Sequence, residues 1–229
     1  MMKNNRLIWI ITVSSFITTA VGINFLPDTV PVHFGIDGNP DRFGSKYEMF
    51  MIPLVMLLLA SSFQFFIYKL NNKADNTDSE KTTQETKTNI KVSRITALMV
   101  QITLFFTNLS MMFNAFEDNY IKKDIGFDMF SMLTLIMGIM FIVVGNVMPK
   151  TKLNGGIGLR TMWSMENDKT WLASNRFGGK AMVISGIISV ILGFAVRGIA
   201  STIIMTVLLL IATTVSVIYS YHAYNKYKE

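Results

Sequence analysis

Six apolar runs, separated by segments that are polar or rich in glycine and proline, set the plan of this chain. They cover residues 7–26, 49–68, 95–116, 129–148, 181–196 and 199–221. A helix needs roughly 20 apolar residues to cross a bilayer core of about 30 Å, and the runs match that requirement. Their hydrophobicity is continuous rather than alternating, so they read as helices and not as strands of a closed barrel, the other structure that satisfies every backbone group in hydrocarbon. Only Arg197 and Gly198 part the last two runs. Joined as one helix they would overshoot the bilayer considerably, so a tight hairpin is expected there.

The basic residues alternate with the spans. Of the 21 lysines and arginines, 16 fall in the N-terminus, the second and fourth loops and the C-terminus, and 5 in the other three loops. Lys and Arg accumulate on the cytoplasmic side of membrane proteins. The expected fold is therefore all-α and polytopic, with six transmembrane helices and both termini cytoplasmic. Lys3 and Arg6 precede the first run as in a signal peptide, but the run continues through Phe25 and Leu26 without a good cleavage site, so an uncleaved anchor is expected.

Composition agrees. The chain of 229 residues is 51% hydrophobic and 16% charged, below the roughly 25% charged of soluble domains. A net charge of +6 would suit nucleic acid, but the charges lie between apolar runs and form no basic face of a soluble domain, so no direct nucleic-acid partner is expected. Cysteine is absent, which excludes disulfides, thiolate metal sites and cysteine nucleophiles.

The loops differ in kind. The first, at 26–50, carries Pro27, Pro31 and Pro40 among turn-forming glycines, which points to a small folded extracytoplasmic cap with a short strand at 30–34. His33, Asp37 and Asp41 have metal-ligand chemistry, but turn formation and a surface imidazole are the favoured reading. The second loop, at 69–94, has no aromatic residue and is dense in Asn, Asp, Glu, Lys, Thr and Gln, the composition of a solvated linker that cannot order itself. The third, with Glu117, Asp118, Asp124 and Asp128 against Lys122 and Lys123, reads as a short solvated outer turn.

The fourth loop concentrates the chemistry. Residues 154–180 read NGGIGLRTMWSMENDKTWLASNRFGGK. Gly155, Gly156 and Gly158 permit turns, and Ser164 suits the N-cap of a short helix over 165–177. On that helix Trp171 would sit at headgroup depth, with Arg160, Arg176 and Lys180 meeting lipid phosphates. An interfacial anchor is one reading; a docking surface for a cytoplasmic partner is the other. A nucleotide-binding loop is excluded, since Ser174 and Ala181 stand where a phosphate cradle around Gly179–Lys180 needs Gly and Ser or Thr.

Two resemblances attach to these loops. LPDTVPVHFGIDGNPDRFGSK at 26–46 looks like the extracytoplasmic signature of a bacterial membrane domain of unknown function. Asn154, Gly158, Arg160, Thr161, Trp163, Trp171, Asn175 and Arg176, following Gly145-Asn146 and Pro149-Lys150, resemble the signature of the SdpI family, with Met162 and Ser164 where that pattern has Pro and Thr. The resemblance implies a multi-span bacterial cell-membrane protein giving immunity to a secreted antimicrobial peptide outside the cell and relaying its presence to a transcriptional regulator inside. It implies no cofactor, and those eight residues as the partner-binding motif. The domain plan that follows is a two-span unit at 1–70 with its cap, a cytoplasmic polar linker at 71–94, and a four-span unit at 95–229 carrying the loop at 149–180.

Within the spans no Asp, Glu, Lys or Arg is secure, which argues against an ion-coupled pump. Gln64, Gln101, Asn108 and Asn114 are expected to join helices by hydrogen bonds. Ala181, Ser185, Ser189 and Gly193 form a stripe suited to close helix approach. A small-molecule or peptide transporter or channel, using Gln101 or Asn108, is the alternative function. An enzyme is not expected, because no nucleophile–base pair is visible and only two histidines are present.

Overall fold

The structure is a computed structural model that describes residues 5–35, 39–120 and 128–228, for 117–120 the backbone alone. Six helices follow one another: α1 (Arg6–Gly22), α2 (Met51–Asp75), α3 (Glu80–Tyr120), α4 (Met129–Val147), α5 (Asp168–Ala195) and α6 (Ile199–Tyr227). Five of them are long and apolar enough to cross a membrane. α1 is shorter, at 17 residues, because the Asn24 amide binds the carbonyls of Ala20 and Val21 and Pro27 follows, so the first run stops short of Leu26. α5 and α6 are separate helices, as the hairpin reading expected, with Gly198 at φ 70° in the turn.

The molecule is mostly helical but not all-α. β1 (Thr29–Phe34) and β2 (Pro40–Ser45) pair antiparallel, Val30 opposite Gly44, and Pro40 is tolerated at the start of a two-stranded ribbon. Val30 is fully buried with Leu26, Met49 and Ala115, which seats the hairpin on the bundle. Phe34 meets Phe130 of α4 edge to face at 5.7 Å. Asp37 and the Lys122–Asp124 part of the third loop lie outside the described residues.

The segment read as an unordered linker is helical over most of its length. α3 starts at Glu80 and runs for 41 residues, about 60 Å, so its first turns extend beyond the hydrocarbon. Thr86, Asn89, Ile90 and Ser93 are buried at helical spacing, and Ile90 packs with Ile67 and Leu70 of α2. The buried stripe is built mainly from small polar residues, so hydropathy does not reveal it. α3 packs against α1 and α2 as well as α4.

Glycines set the tightest interface. A Cβ on Gly138 would stand 2.9 Å from the Gly186 carbonyl oxygen, and one on Gly179 would stand 2.6 Å from that of Gly145. Seven residues forward on α4 match seven residues back on α5, as an antiparallel pair requires. Backbone-to-backbone approach of this kind gives helices in lipid dispersion contact that larger side chains would prevent. Gly193 continues the seam against Leu135 and Ser131. Of the expected stripe, Ser185 and Ser189 are buried, but Gly179 and Gly186 make the closest contacts.

Buried amides join the first three helices. Gln101 donates to the Met56 carbonyl at 3.0 Å and accepts from Thr12; Asn108 donates to Thr19 at 2.8 Å. Asn5 bridges Gln64 and Arg94. Outside these seams the helices are bare hydrocarbon: Leu210 and Ile218 of α6 and Ile191 and Phe194 of α5 are all more than half exposed. Apolar surface of that extent is not sustained in water. The protein is a membrane protein.

Candidate functional site

Four basic-rich segments meet at one end of the bundle. Asn5 at the start of α1 reaches Gln64 and Arg94, the Lys152 N–H donates to Asn89, Lys81 pairs with Asp168, and Asn167 donates to the carbonyl of Tyr227 near the C-terminus. The loop between α4 and α5 lies across this end.

It is held by its own polar side chains. The Asn154 amide oxygen accepts the N–H groups of Gly156 and Ile157, making a local turn. Gly158 sits at φ 105°, and a Cβ there would stand 2.6 Å from Asn175 Oδ1 and 2.9 Å from the Trp171 ring, so conformation and space both require glycine. Asn175 is wholly buried; its oxygen accepts the Leu159 N–H at 2.7 Å and its Nδ2 donates to the Trp171 carbonyl at 3.0 Å. The Thr161 and Ser220 hydroxyls pair at 2.9 Å, and Trp163 packs edge to face on Tyr221, tying the loop to α6.

Three expectations are corrected. Trp171 does not face lipid headgroups. It is 1% exposed, and its indole N–H donates to the Thr151 carbonyl at 2.9 Å. The helix it sits on is not a separate interfacial segment but the first turns of α5, which continues through Gly178 and Gly179, where Gly179 lies against Gly145 and Pro149 and Gly178 against Met148. Ser164 does not cap it. Its hydroxyl donates to the Leu159 carbonyl at 2.7 Å inside the turn, while Asn167 caps α5 in a reciprocal box with Thr170. The Asn167-x-x-Thr170 spacing was the signal for this cap, and Thr151, Asn89 and Ser220 gave none.

The eight signature residues therefore divide. Asn154, Gly158, Thr161, Trp163, Trp171 and Asn175 are engaged within the fold. Arg160 and Arg176 are exposed and take part in no hydrogen bond or ion pair among the described residues. The Asn175–Leu159 bond brings the chain positions next to each arginine together. Arg176 also shares the outer face of α5 with Lys169 and Lys180, in line with exposed Ile184 and Ile191.

At the opposite end Asp128 makes a clasp. Its carboxylate caps α4 through the N–H groups of Phe130 and Ser131 and accepts the Gly198 N–H at 2.8 Å from the α5–α6 turn. Burial pushes this carboxyl up, but the Ser131 hydroxyl and the three N–H donors outweigh it and hold it below the ordinary value of 3.8. His33 is paired with Asp41, and no group of three metal-ligating side chains gathers among the described residues.

Sequence comparison places this arrangement. The profile of a domain of unknown function (DUF1648) matches residues 10–57, and that of the SdpI/YfhL protein family matches 150–220. Over 227 residues, 98% of both chains, the sequence is 31% identical to the immunity protein SdpI of Bacillus subtilis (strain 168). The chain belongs to the SdpI family. A 30-residue stretch, 13% of this chain and 16% of the other, is 60% identical to an uncharacterized protein of Archaeoglobus fulgidus. No solved structure matches the chain. The family match spans the loop, the whole of α5 and α6 as far as Ser220.

Proposed function

We propose that this protein gives its cell immunity to a secreted membrane-active peptide and relays the presence of that peptide to a cytoplasmic transcriptional regulator. One observation carries the reading: end-to-end identity of 31% to a protein named for immunity. In this reading the chain crosses the cell membrane six times, α1 included, with both termini and the 150–167 loop in the cytoplasm. The gathering of the basic-rich segments at one end of the bundle supports that orientation. The outer hairpin meets the peptide. Arg160 and Arg176, the two signature side chains left unspent by the fold, meet the regulator.

The test is survival. Cells deleted for the protein should become sensitive to a secreted membrane-active peptide that wild-type cells tolerate, and plasmid-borne wild type should restore tolerance. Equal survival of deleted and complemented cells across a broad panel of such peptides overturns the immunity reading. Orientation is tested apart, by labelling a single cysteine introduced at position 160 in this otherwise cysteine-free chain. An impermeant thiol reagent should label it in opened vesicles and leave it untouched in intact cells.

A further inference from the structure

Beneath the loop lies a cleft of about 420 Å³ that none of the described residues fills. Its walls come from Phe63 of α2, Thr96 of α3, Val144 of α4, Met182 of α5 and Leu209 and Ala212 of α6, and residues 156–159 roof it. We infer that this cleft holds one acyl chain of an anionic membrane phospholipid, with the lipid phosphate met by Lys150 and Lys152 beside the roof.

The volume falls within the roughly 300–1,000 Å³ of small-molecule sites. Protein interiors are close-packed, so an unfilled apolar space of this size forfeits contacts along every wall. No charged side chain lines it. Of its four hydroxyls, Thr151 is committed to the Met148 carbonyl and Ser216 to the Ala212 carbonyl, and apart from Thr96 and Thr213 the remaining side chains are apolar. The chemistry inside therefore asks for hydrocarbon.

The position argues for a lipid. α6 packs on α4 and α5, while α2 packs on α1 and α3, so the cleft lies where the two groups of helices part. It is open rather than enclosed, and beside helices whose outer faces are bare hydrocarbon the occupant at hand is a lipid tail. The rim supplies the second half of an amphiphile. Lys150 and Lys152 flank Thr151 in the wall; both are exposed, and neither pairs with a carboxylate among the described residues. The roof is also kept thin. Gly156 lies against the Phe66 ring and Gly158 holds a left-handed φ, so neither position admits a side chain.

The experiment uses the full chain in vesicles containing phosphatidylglycerol with a photoactivatable group in its tail, and maps the cross-links by mass spectrometry. Cleft-lining peptides of α6 and the loop should label severalfold more than the lipid-facing Ile184–Ile191 side of α5. Ala212→Phe, and the milder Ala212→Leu should the first fail to fold, should abolish the excess and leave the α5 labelling intact. Tail-labelled phosphatidylcholine should label the cleft less than phosphatidylglycerol does, and K150Q/K152Q should erase that preference. Soluble glycerol phosphate should not displace the label. Equal labelling of cleft and outer face, an excess that survives both Ala212 variants, or no preference for the anionic lipid overturns the inference. So does native mass spectrometry in which the adduct lost on Ala212→Phe has the mass of a peptide rather than a phospholipid. None of these readings depends on immunity.

Discussion

The Asn175 amide oxygen accepts the Leu159 N–H at 2.7 Å, across 16 residues of chain, and the same side chain donates to the Trp171 carbonyl. One buried amide thus fixes the roof of the loop to the first turns of α5. Asn175→Ala leaves the Leu159 N–H without its partner in a part-buried site. A loss of about 1–3 kcal/mol is expected, read as a lowered unfolding temperature in detergent. An unchanged transition would mean that the loop is not held this way.

Trp171 gives an optical test of the same core. Trp171→Phe keeps most of the ring but drops the bond to the Thr151 carbonyl, and should cost about 1–3 kcal/mol. Of the three tryptophans, Trp171 should contribute blue-shifted emission insensitive to aqueous iodide, which the Phe variant removes. Iodide quenching of that component in the wild type would place the indole at the surface after all.

The glycine seam predicts a contrast between positions. Gly145→Leu and Gly138→Leu must separate α4 from α5, because even a Cβ meets the facing backbone or side chains at 3.0 Å or less. Strong destabilisation, with poor recovery of folded protein, is expected. Gly155→Ala, where a Cβ would meet nothing within 4 Å, should fold as wild type. Equal tolerance at 145 and 155, measured by size-exclusion yield and melting, would contradict the interface.

Asp128 carries a pH dependence. Its carboxyl is depressed in the folded protein, so the folded state binds this proton less readily than the unfolded one. The stabilisation is complete well above the ordinary value of 3.8 and is lost as pH falls below it through the folded value. The difference in melting temperature between wild type and Asp128→Asn should be largest at neutral pH and shrink as pH falls below about 4. A difference that is flat from pH 7 to pH 3 would remove the clasp from the account.

The two free arginines should separate folding from function. R160Q/R176Q breaks no interaction among the described residues, so its melting temperature should stay within about 0.5 kcal/mol equivalent of wild type. Recovery of a cytoplasmic partner from native membranes should fall in the same variant. Full recovery with normal folding would remove the arginines from the proposed contact, and a collapse in stability would show them to be structural.

Much of the plan is legible in the chain itself. Long apolar runs have few solutions in hydrocarbon, so the spanning helices and the break at Arg197–Gly198 follow from one-dimensional hydropathy. The order of Gly158, Arg160, Thr161, Trp163, Trp171, Asn175 and Arg176 likewise identified the family. Tertiary structure alone decided what those residues do. Burial of Trp171 needs the Thr151 carbonyl 20 residues away, and α5 stays continuous through Gly178–Gly179 because α4 presents Gly145 there. The helix at 80–94 is hidden from hydropathy for a related reason, since its buried stripe of Thr86, Asn89 and Ser93 is polar and gains from α2 and the loop what it lacks alone. Hydrophobicity is a property of each residue, so sequence reports it directly. Packing and hydrogen-bond satisfaction belong to pairs distant in the chain, and only the folded arrangement names the partners.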